Sequence, residues 1–451
     1  MNIFLSGIGG VSMSGLAHIA IDNGHNVYGS DMEISSSVER LKSEGAIIYH
    51  GHKAEHITSD IDLYVYTSAI REDNPEYLKA KELGIKMQNR AVFLGEIMDL
   101  YLNSISVAGT HGKTSTTSML STIMTMSGND PTILVGGNLG LINGNVRVGK
   151  SGNFITEACE YTNSFLNFKS NIGIVLNIEA DHLDYFKDLN EIIDSFNKFG
   201  RLIKKGGYFI INGDDKNTSR IDEGVEAEVI RFGKSEKNDA VINILGYNEN
   251  GCARFTVTYK EELLGEFELS VPGEHNAYNA TSAIIASYVS GIDIEVIREM
   301  ITLYRGVGRR FEHKGYTEVG TRVIDDYAHH PTEIKATLKA ISNMEYDKIW
   351  AIFQPHTYSR TESLLEEFAK SFDDADVIVI PDIYASREKF TDSISSADLV
   401  REIIKNVEGK EVRYIKSFEC IAEFIKNAKP NDVIVTLGAG DVYKIAEMVV
   451  K

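Results

Sequence analysis

The sequence is short of the features that mark a secreted, membrane-spanning or nucleic-acid-binding protein. It has three cysteines, Cys159, Cys252 and Cys420. Their number is odd, they lie far apart and no CxxC pair occurs, so neither a disulfide framework nor a zinc knuckle can be read. Thiols in a reducing cytosol are the expectation. No run approaches the ~20 apolar residues that span a bilayer. The opening MNIFLSGIGG lacks a basic segment and passes straight into a strand and a glycine loop, which is not the pattern of a signal peptide. Positive charge is also scarce: 46 Lys and Arg against 65 Asp and Glu give a formal net charge of −19. Nucleic acid and anionic membrane surfaces would be repelled. A small anion would not be, because a local nest of backbone N–H groups can hold phosphate inside an acidic protein. With only 7 prolines and no repeat, composition marks no linker. Cytoplasmic chemistry on small anions is the expectation, with no nucleic-acid or membrane partner.

What is present is an ordinary globular composition spread over 451 residues. That is more chain than one core can organise, so boundaries are read from restarts of the strand–loop–helix pattern. An apolar run at 2–6, a glycine loop, an apolar-periodic stretch at 13–22 and the strand NVYGSD open the first unit, with LYVYTSAI (63–70) as its third buried strand. A second unit opens with SISVAGTHGKTSTTSMLSTIM and continues through TILVGG, NFITEA, IGIVLNI and GGYFIIN. Residues 239–272 alternate as a small antiparallel patch does, and a helix is expected at 276–290. The third unit begins near GVGRRFE and carries the strands TRVIDDYA, KIWAIFQP, VIVIPDI and DVIVTLGAG, with helices at 331–344 and 362–372. The predicted fold class is α/β in three domains: a Rossmann-like N-terminal domain (1–100), a P-loop ATPase-like central domain (101–306) and a Rossmann-like C-terminal domain (307–451).

The sharpest motif is Gly109-Thr110-His111-Gly112-Lys113-Thr114, between a strand and a helix. There, successive N–H groups and the helix N-terminus favour phosphate. Lys113 would bridge the β- and γ-phosphates of ATP, and the Thr114 hydroxyl would reach Mg²⁺. The full P-loop pattern is not met, since Val107 stands where its first glycine belongs; a glycine-rich turn is the alternative. The loop Gly7-Ile8-Gly9-Gly10-Val11-Ser12 approximates a dinucleotide fingerprint, with Ser12 in place of the third glycine and Asp31 ending the next strand. It points to a nucleotide or to a plain structural turn, and does not choose between NAD and a UDP sugar. Glu157 and His182 follow strands of the central unit, where a carboxylate and an imidazole suit Mg²⁺. Asp181 and Asp184 are expected to be solvated or capping residues. The run Asp325-Asp326-Tyr327-Ala328-His329-His330-Pro331-Thr332-Glu333 reads as a metal cluster, a substrate-facing loop or a helix cap; alternation along a strand argues against the metal. Arg309, Arg310 and Arg360 offer bidentate sites for carboxylate or phosphate. Asn276 and Asn279 could match adenine's donor–acceptor edge, or cap a helix.

GIGGVSMSGLA, AGTHGKTS, GGNLG, EADHLDYF, GEHNAYNA, GVGRRFE, DDYAHHPTE, FQPH-x-YSRT and LGAGDV occur in one order along nearly the whole chain. In this the chain resembles the Mur ligases, and the first and the DDYAHHPTE segments resemble their alanine-adding branch. Thr357 stands where some members carry arginine. The resemblance implies that the first domain binds a UDP-sugar through Gly7, Gly9, Gly10, Asp31 and Ser68, the second binds ATP, and the third binds the amino acid and part of the nucleotide. It implies Lys113, Thr114, Glu157 and His182 for phosphates and Mg²⁺, Asn276 and Asn279 for adenine, Arg310 and Asp326 for closing on the nucleotide, and His329, His356, Tyr358 and Arg360 for the substrate carboxylate or alanine. The implied reaction is ATP-dependent ligation of L-alanine to the carboxylate of UDP-N-acetylmuramate through an acyl phosphate, a step of peptidoglycan synthesis that serves cell shape and division. Two alternatives remain beside it: a ligase recycling an intact tripeptide onto the same sugar nucleotide, and an NAD-dependent oxidoreductase built on the Gly7–Gly10 loop.

Overall fold

The computed structural model describes residues 1–67, 69–386 and 388–451, so Ser68 lies outside the described residues. The chain divides into two compact units, one of residues 1–178, 192–231 and 282–293, the other of 179–191, 232–281 and 294–451. Among the described residues no helix is long and apolar enough to cross a membrane.

In the first unit a five-stranded parallel sheet runs in the order Ile47–His50, Asn26–Asp31, Asn2–Ser6, Leu63–Tyr66, Lys86–Asn89. The central strand is the apolar Asn2–Ser6, buried almost throughout. The run at 63–70 is therefore the fourth strand, not the third, and it ends at Tyr66. The strand missed between them, Ile47–His50, is a half-exposed edge with no apolar run to betray it. This order reverses between Asn2–Ser6 and Leu63–Tyr66, where open parallel sheets form a ligand crevice at their carboxyl ends.

The same unit carries a second parallel series, Tyr208–Asn212, Ile172–Val175, Asn103–Ala108, Asn153–Glu157 and Thr132–Leu139, with Gly144–Arg147 antiparallel at the edge. Asn103–Ala108 lies in the middle, and its residues 104–108 are buried, as expected of a strand covered on both faces. Because these strands are parallel, the loop after Ala108, Glu157 and the segment after Val175 all leave at one edge.

In the second unit Ala240–Tyr247, Cys252–Tyr259 and Glu262–Pro272 pair as the antiparallel patch read from the alternating sequence. A six-stranded sheet follows, with Arg322–Asp326, Val433–Leu437 and Ile349–Phe353 adjacent and parallel, and Glu312–Tyr316 antiparallel at one edge. Helix Pro331–Ser342 is capped by His330, whose side chain accepts from the Thr332 N–H while Glu333 reaches back. The expected helix at 362–372 is instead two short ones, Tyr358–Ser363 and Leu365–Ala369, because Leu364 leaves helical geometry at φ −116°, ψ 23°.

Helix Arg90–Met98 sets Gly95 directly against the Asn167 carbonyl. A Cβ added there would lie 2.2 Å from that oxygen. Gly95→Ala is expected to destabilise the protein by about 1–3 kcal/mol, seen as a lower thermal midpoint; an unchanged midpoint would contradict this packing.

Candidate active site

The loop leaving Asn103–Ala108 depends on two glycines. Gly109 has φ +139° and Gly112 φ +83°, a region L side chains rarely adopt. Gly112 is the N-cap of helix Lys113–Met126 and provides no side-chain cap. The first-turn N–H groups are thus directed at the space beyond the loop, which suits an anion. Asn177 clamps the loop from the neighbouring strand end. Its carbonyl accepts from the Thr110 N–H at 3.1 Å, its Oδ1 accepts from the His111 N–H at 2.8 Å, and its Nδ2 donates to the His111 carbonyl at 3.2 Å.

Lys113 is turned back on its own loop. Its Nζ donates to the Glu160 carboxylate at 3.0 and 3.2 Å, to the Thr110 carbonyl at 3.1 Å and to the Gly109 carbonyl. Burial opposes the charge, but Glu160, backed by Cys159 and Glu157, more than offsets it, so the lysine titrates above its ordinary value. Thr114 lies buried in the first turn of the helix. The Glu157 carboxylate accepts from the Gly136 N–H and fills the place a side chain at 136 would take, with a Cβ there 2.9 Å from its oxygens. Thr114 and Glu157 offer hard oxygen donors of the kind Mg²⁺ takes.

At the N-terminal loop, Gly7 adopts φ +79° and its N–H donates to the Ser30 carbonyl at 2.8 Å. Asp31 accepts from the Gly9 N–H at 2.8 Å and from the Glu33 N–H at 3.1 Å. Gly9 must lack a side chain, since a Cβ would lie 2.9 Å from that carboxylate. Gly10 caps helix Val11–Asp22 in an extended conformation. Asp31 thus braces the loop through Oδ2, while Oδ1 holds the chain just after its own strand.

In the second unit the carboxyl ends of the parallel strands bring three loops together around Arg309. Its Nε donates to Asp325 at 3.0 Å, and its two terminal nitrogens donate to the carbonyls of Gly440 (3.0 Å) and Gly438 (2.7 Å). The guanidinium also lies over the rings of Tyr327 and Tyr443, at 5.0 and 4.7 Å. Asp325 is fully buried and accepts from Thr436 Oγ1 at 2.6 Å. Its neighbour Asp326 points the other way, accepting from the Phe311 N–H at 2.8 Å and the Ala328 N–H at 2.7 Å. The two carboxylates therefore do not converge on one metal ion with the histidines. Arg310 also lies over the Tyr327 ring, 4.9 Å from its centroid, with Glu333 3.8 Å away.

Asp181, expected to be a solvated or capping residue, is buried and ion-paired with Arg360, with N···O distances of 3.0 and 3.2 Å. Asp184 is exposed. Burial opposes the Asp181 charge, yet Arg360, His182 and His329 hold its carboxyl below the usual carboxylate range. Asp181 also accepts the His182 N–H at 2.8 Å and so supports that residue at φ +54°. Arg360 reaches His356 Nδ1 at 3.3 Å, and the rings of His356 and His329 lie 6.1 Å apart. Burial, His329 and Arg360 push His356 down to about 4, so its imidazole is neutral at pH 7. Tyr358 receives its backbone support from Glu388, 2.6 Å from the Tyr358 N–H. Left-handed φ values at Arg309, Phe311 and Thr357 fall in the same loops, a distribution characteristic of functional sites. Asn276 and Asn279 are both buried; Asn276 Nδ2 donates to the Pro272 carbonyl at 2.7 Å, and Asn279 Nδ2 donates to Asn276 Oδ1 at 3.1 Å.

Sequence reasoning missed Glu160, Asn177 and the role of Asp181, and read Arg309 as a bidentate partner for a carboxylate or phosphate without finding its contacts to Gly438 and Gly440. Glu160 had a local signal, a second acid three places after Glu157. The others are contacts across the fold that spacing does not reveal.

Asp326 titrates at about 6, because burial raises it more than Arg310 and the two amides lower it. A folded-state value above the ordinary 3.8 means the native protein holds the extra proton between about pH 4 and 6. This group's contribution to stability is present below pH 4 and is lost as pH rises through 6. Relative to Asp326→Asn, the wild type should lose about 2–3 kcal/mol between pH 4 and 7, read from denaturant unfolding at each pH. A difference that does not change with pH would refute this.

Three sequence profiles match the chain in succession: the Mur ligase family, catalytic domain over 3–102, the Mur ligase middle domain over 107–287, and the Mur ligase, glutamate ligase domain over 309–440. A UDP-N-acetylmuramate–L-alanine ligase of Caldanaerobacter subterraneus is 51% identical over 446 residues, covering 99% of this chain and 96% of that protein. One from Acetivibrio thermocellus is 50% identical over 452 residues, covering 100% and 96%. The crystal structure of the UDP-N-acetylmuramate–alanine ligase of Thermotoga maritima superposes with a TM-score of 0.82 at 28% identity, covering 99% of this chain and 97% of that one. With three family domains in order and relatives at half identity along its whole length, the chain belongs to the Mur ligase family.

Proposed function

We propose that this protein is an ATP-dependent ligase joining L-alanine to the carboxylate of UDP-N-acetylmuramate, a step in peptidoglycan precursor synthesis. The full-length likeness to relatives bearing that activity carries the reading, and the loop Gly109–Thr114 supplies a physical reason for ATP. The oxidoreductase alternative would leave that loop without a use, and Asp31, which it needs for a ribose, braces its own loop instead. The tripeptide alternative has no comparable support.

The division of labour follows the predicted domains: 1–100 for the UDP-sugar, 101–306 for ATP, and 307–451 for the amino acid and nucleotide closure. A carboxylate is a poor electrophile, so the γ-phosphoryl group is first transferred to it. Lys113 leaves Glu160 and its loop carbonyls to neutralise the β- and γ-phosphates, and the N–H groups of Gly109–Thr114 hold them. Thr114 and Glu157 would hold Mg²⁺, with His182 serving a second ion, and the metal would supply further charge neutralisation at the phosphates. Asn276 and Asn279 read adenine, and Arg310, its loop fixed through Asp326, serves the nucleotide. Arg360 offers the alanine carboxylate a bidentate partner. His329, neutral His356 and Tyr358 surround the amine, which must lose its proton before attacking the acyl phosphate. The tetrahedral intermediate then collapses and releases phosphate.

Incubation with ATP, UDP-N-acetylmuramate and a panel of L-alanine, glycine, L-serine and tripeptide should release phosphate fastest with L-alanine. Release with tripeptide alone would overturn the choice of substrate. Lys113→Ala should lose more than ~100-fold in turnover; full retention would remove that lysine from the mechanism.

A further inference from the structure

Away from the phosphate loop, the N-terminal sheet holds a buried glutamate that none of the roles above uses. Glu76 is 0% exposed and sits in the first turn of helix Pro75–Glu82. Its Oε2 accepts from Ser6 Oγ at 2.8 Å, Ser30 Oγ at 2.7 Å and His52 Nδ1 at 2.8 Å; its Oε1 accepts from His56 Nδ1 at 2.9 Å and the Lys53 N–H at 3.4 Å. Both serines are fully buried. A carboxylate in an interior is costly unless its lone pairs are filled, and here they are.

The place of this cluster gives it meaning. Ser6 ends the central strand and is followed by Gly7; Ser30 is the penultimate residue of the next strand, which ends at Asp31. The Ser30 carbonyl receives the Gly7 N–H, and Asp31 receives the Gly9 N–H. Glu76 therefore ties together the two strand ends from which the glycine loop and its brace depart, at the carboxyl edge where such sheets bind ligands. His56 stacks on Tyr49 at 4.4 Å, and Tyr49 and Tyr64 flank Phe4, so ring packing supports the His56 side of the cluster. His52 is the member that reaches the surface, its side chain 16% exposed. With Nδ1–H committed to Glu76, the Nδ1–H tautomer of His52 leaves Nε2 as an acceptor. A uracil imide N–H is a donor of the kind that nitrogen can read.

We propose that Glu76 is a positioning residue for the UDP-sugar site: through Ser6, Ser30 and His52 it fixes the glycine loop and the tautomer of a histidine that contacts the uridine. This rests on the proposed ligase reading. Partners that orient a metal-binding histidine govern ~10–100-fold in metal affinity or activity, and an effect of that order is expected here.

The test uses the full chain with each substrate varied in turn, and calorimetric titration of UDP alone. In Glu76→Gln, KM for UDP-N-acetylmuramate and the Kd for UDP should rise ~10-fold or more, with KM for ATP and alanine nearly unchanged. In His52→Asn, the amide keeps a donor toward Glu76 but loses the outer nitrogen; the same selective rise is expected with an unchanged melting temperature. A purely structural role would leave His52→Asn like wild type and would move all three KM values together in Glu76→Gln. Either outcome, or an unchanged UDP affinity in both variants, overturns the proposal. If Glu76→Gln fails to fold, His52→Asn and Ser30→Ala decide. Failure of the ligase reading is separate: the wild type would then release no alanine-dependent phosphate, whatever the variants do to UDP binding.

Discussion

A half-buried cation needs a counter-charge, and that requirement organises the candidate site. Lys113 is held by Glu160 at 3.0 Å and Arg360 by Asp181 at 3.0 Å. Arg309 is held by Asp325 and by backbone carbonyls. Without such partners each would be partly withdrawn from water with no compensating charge. The partners come from the protein while the anionic substrates are away, and this is one use for an excess of acids that gives a net charge of −19. Two of these pairs involve cations assigned to substrate anions. Arg309 is different: each of its three guanidinium nitrogens donates to the protein, between two tyrosine rings, so it shapes the site.

Much of the fold was legible because its central strands are short apolar runs ending in glycine- or polar-rich loops. Asn103–Ala108, Ile172–Val175 and Val433–Leu437 read directly as buried parallel strands. Edge strands such as Ile47–His50 did not, since half-exposed pairing leaves no hydrophobic signature. The break at Leu364 escaped for a related reason: nothing in LLEEF opposes a helix.

The candidate site was legible where chemistry is compressed into neighbouring residues, as in Gly109–Thr114 or Asp325–Glu333. It was illegible where one side chain serves another far away. Asp181 could be called solvated from its neighbours, but Arg360, its partner, is 179 positions along the chain. The pair Asp325 and Asp326 shows both cases at once. Alternation along the strand predicted opposite directions, yet only the fold shows that one aspartate meets Arg309 and Thr436 while the other meets two backbone amides.

The resting position of Lys113 also bears on which anions the loop admits. An incoming ion competes with a carboxylate already in place and with the loop's own carbonyls. A single small anion brings about as much charge as Glu160 already supplies, so it gains little by displacing it. A triphosphate brings several charges on adjacent centres and can engage the helix N-terminus at the same time. The loop thus behaves as a threshold device, indifferent to dilute simple anions and responsive to a polyphosphate.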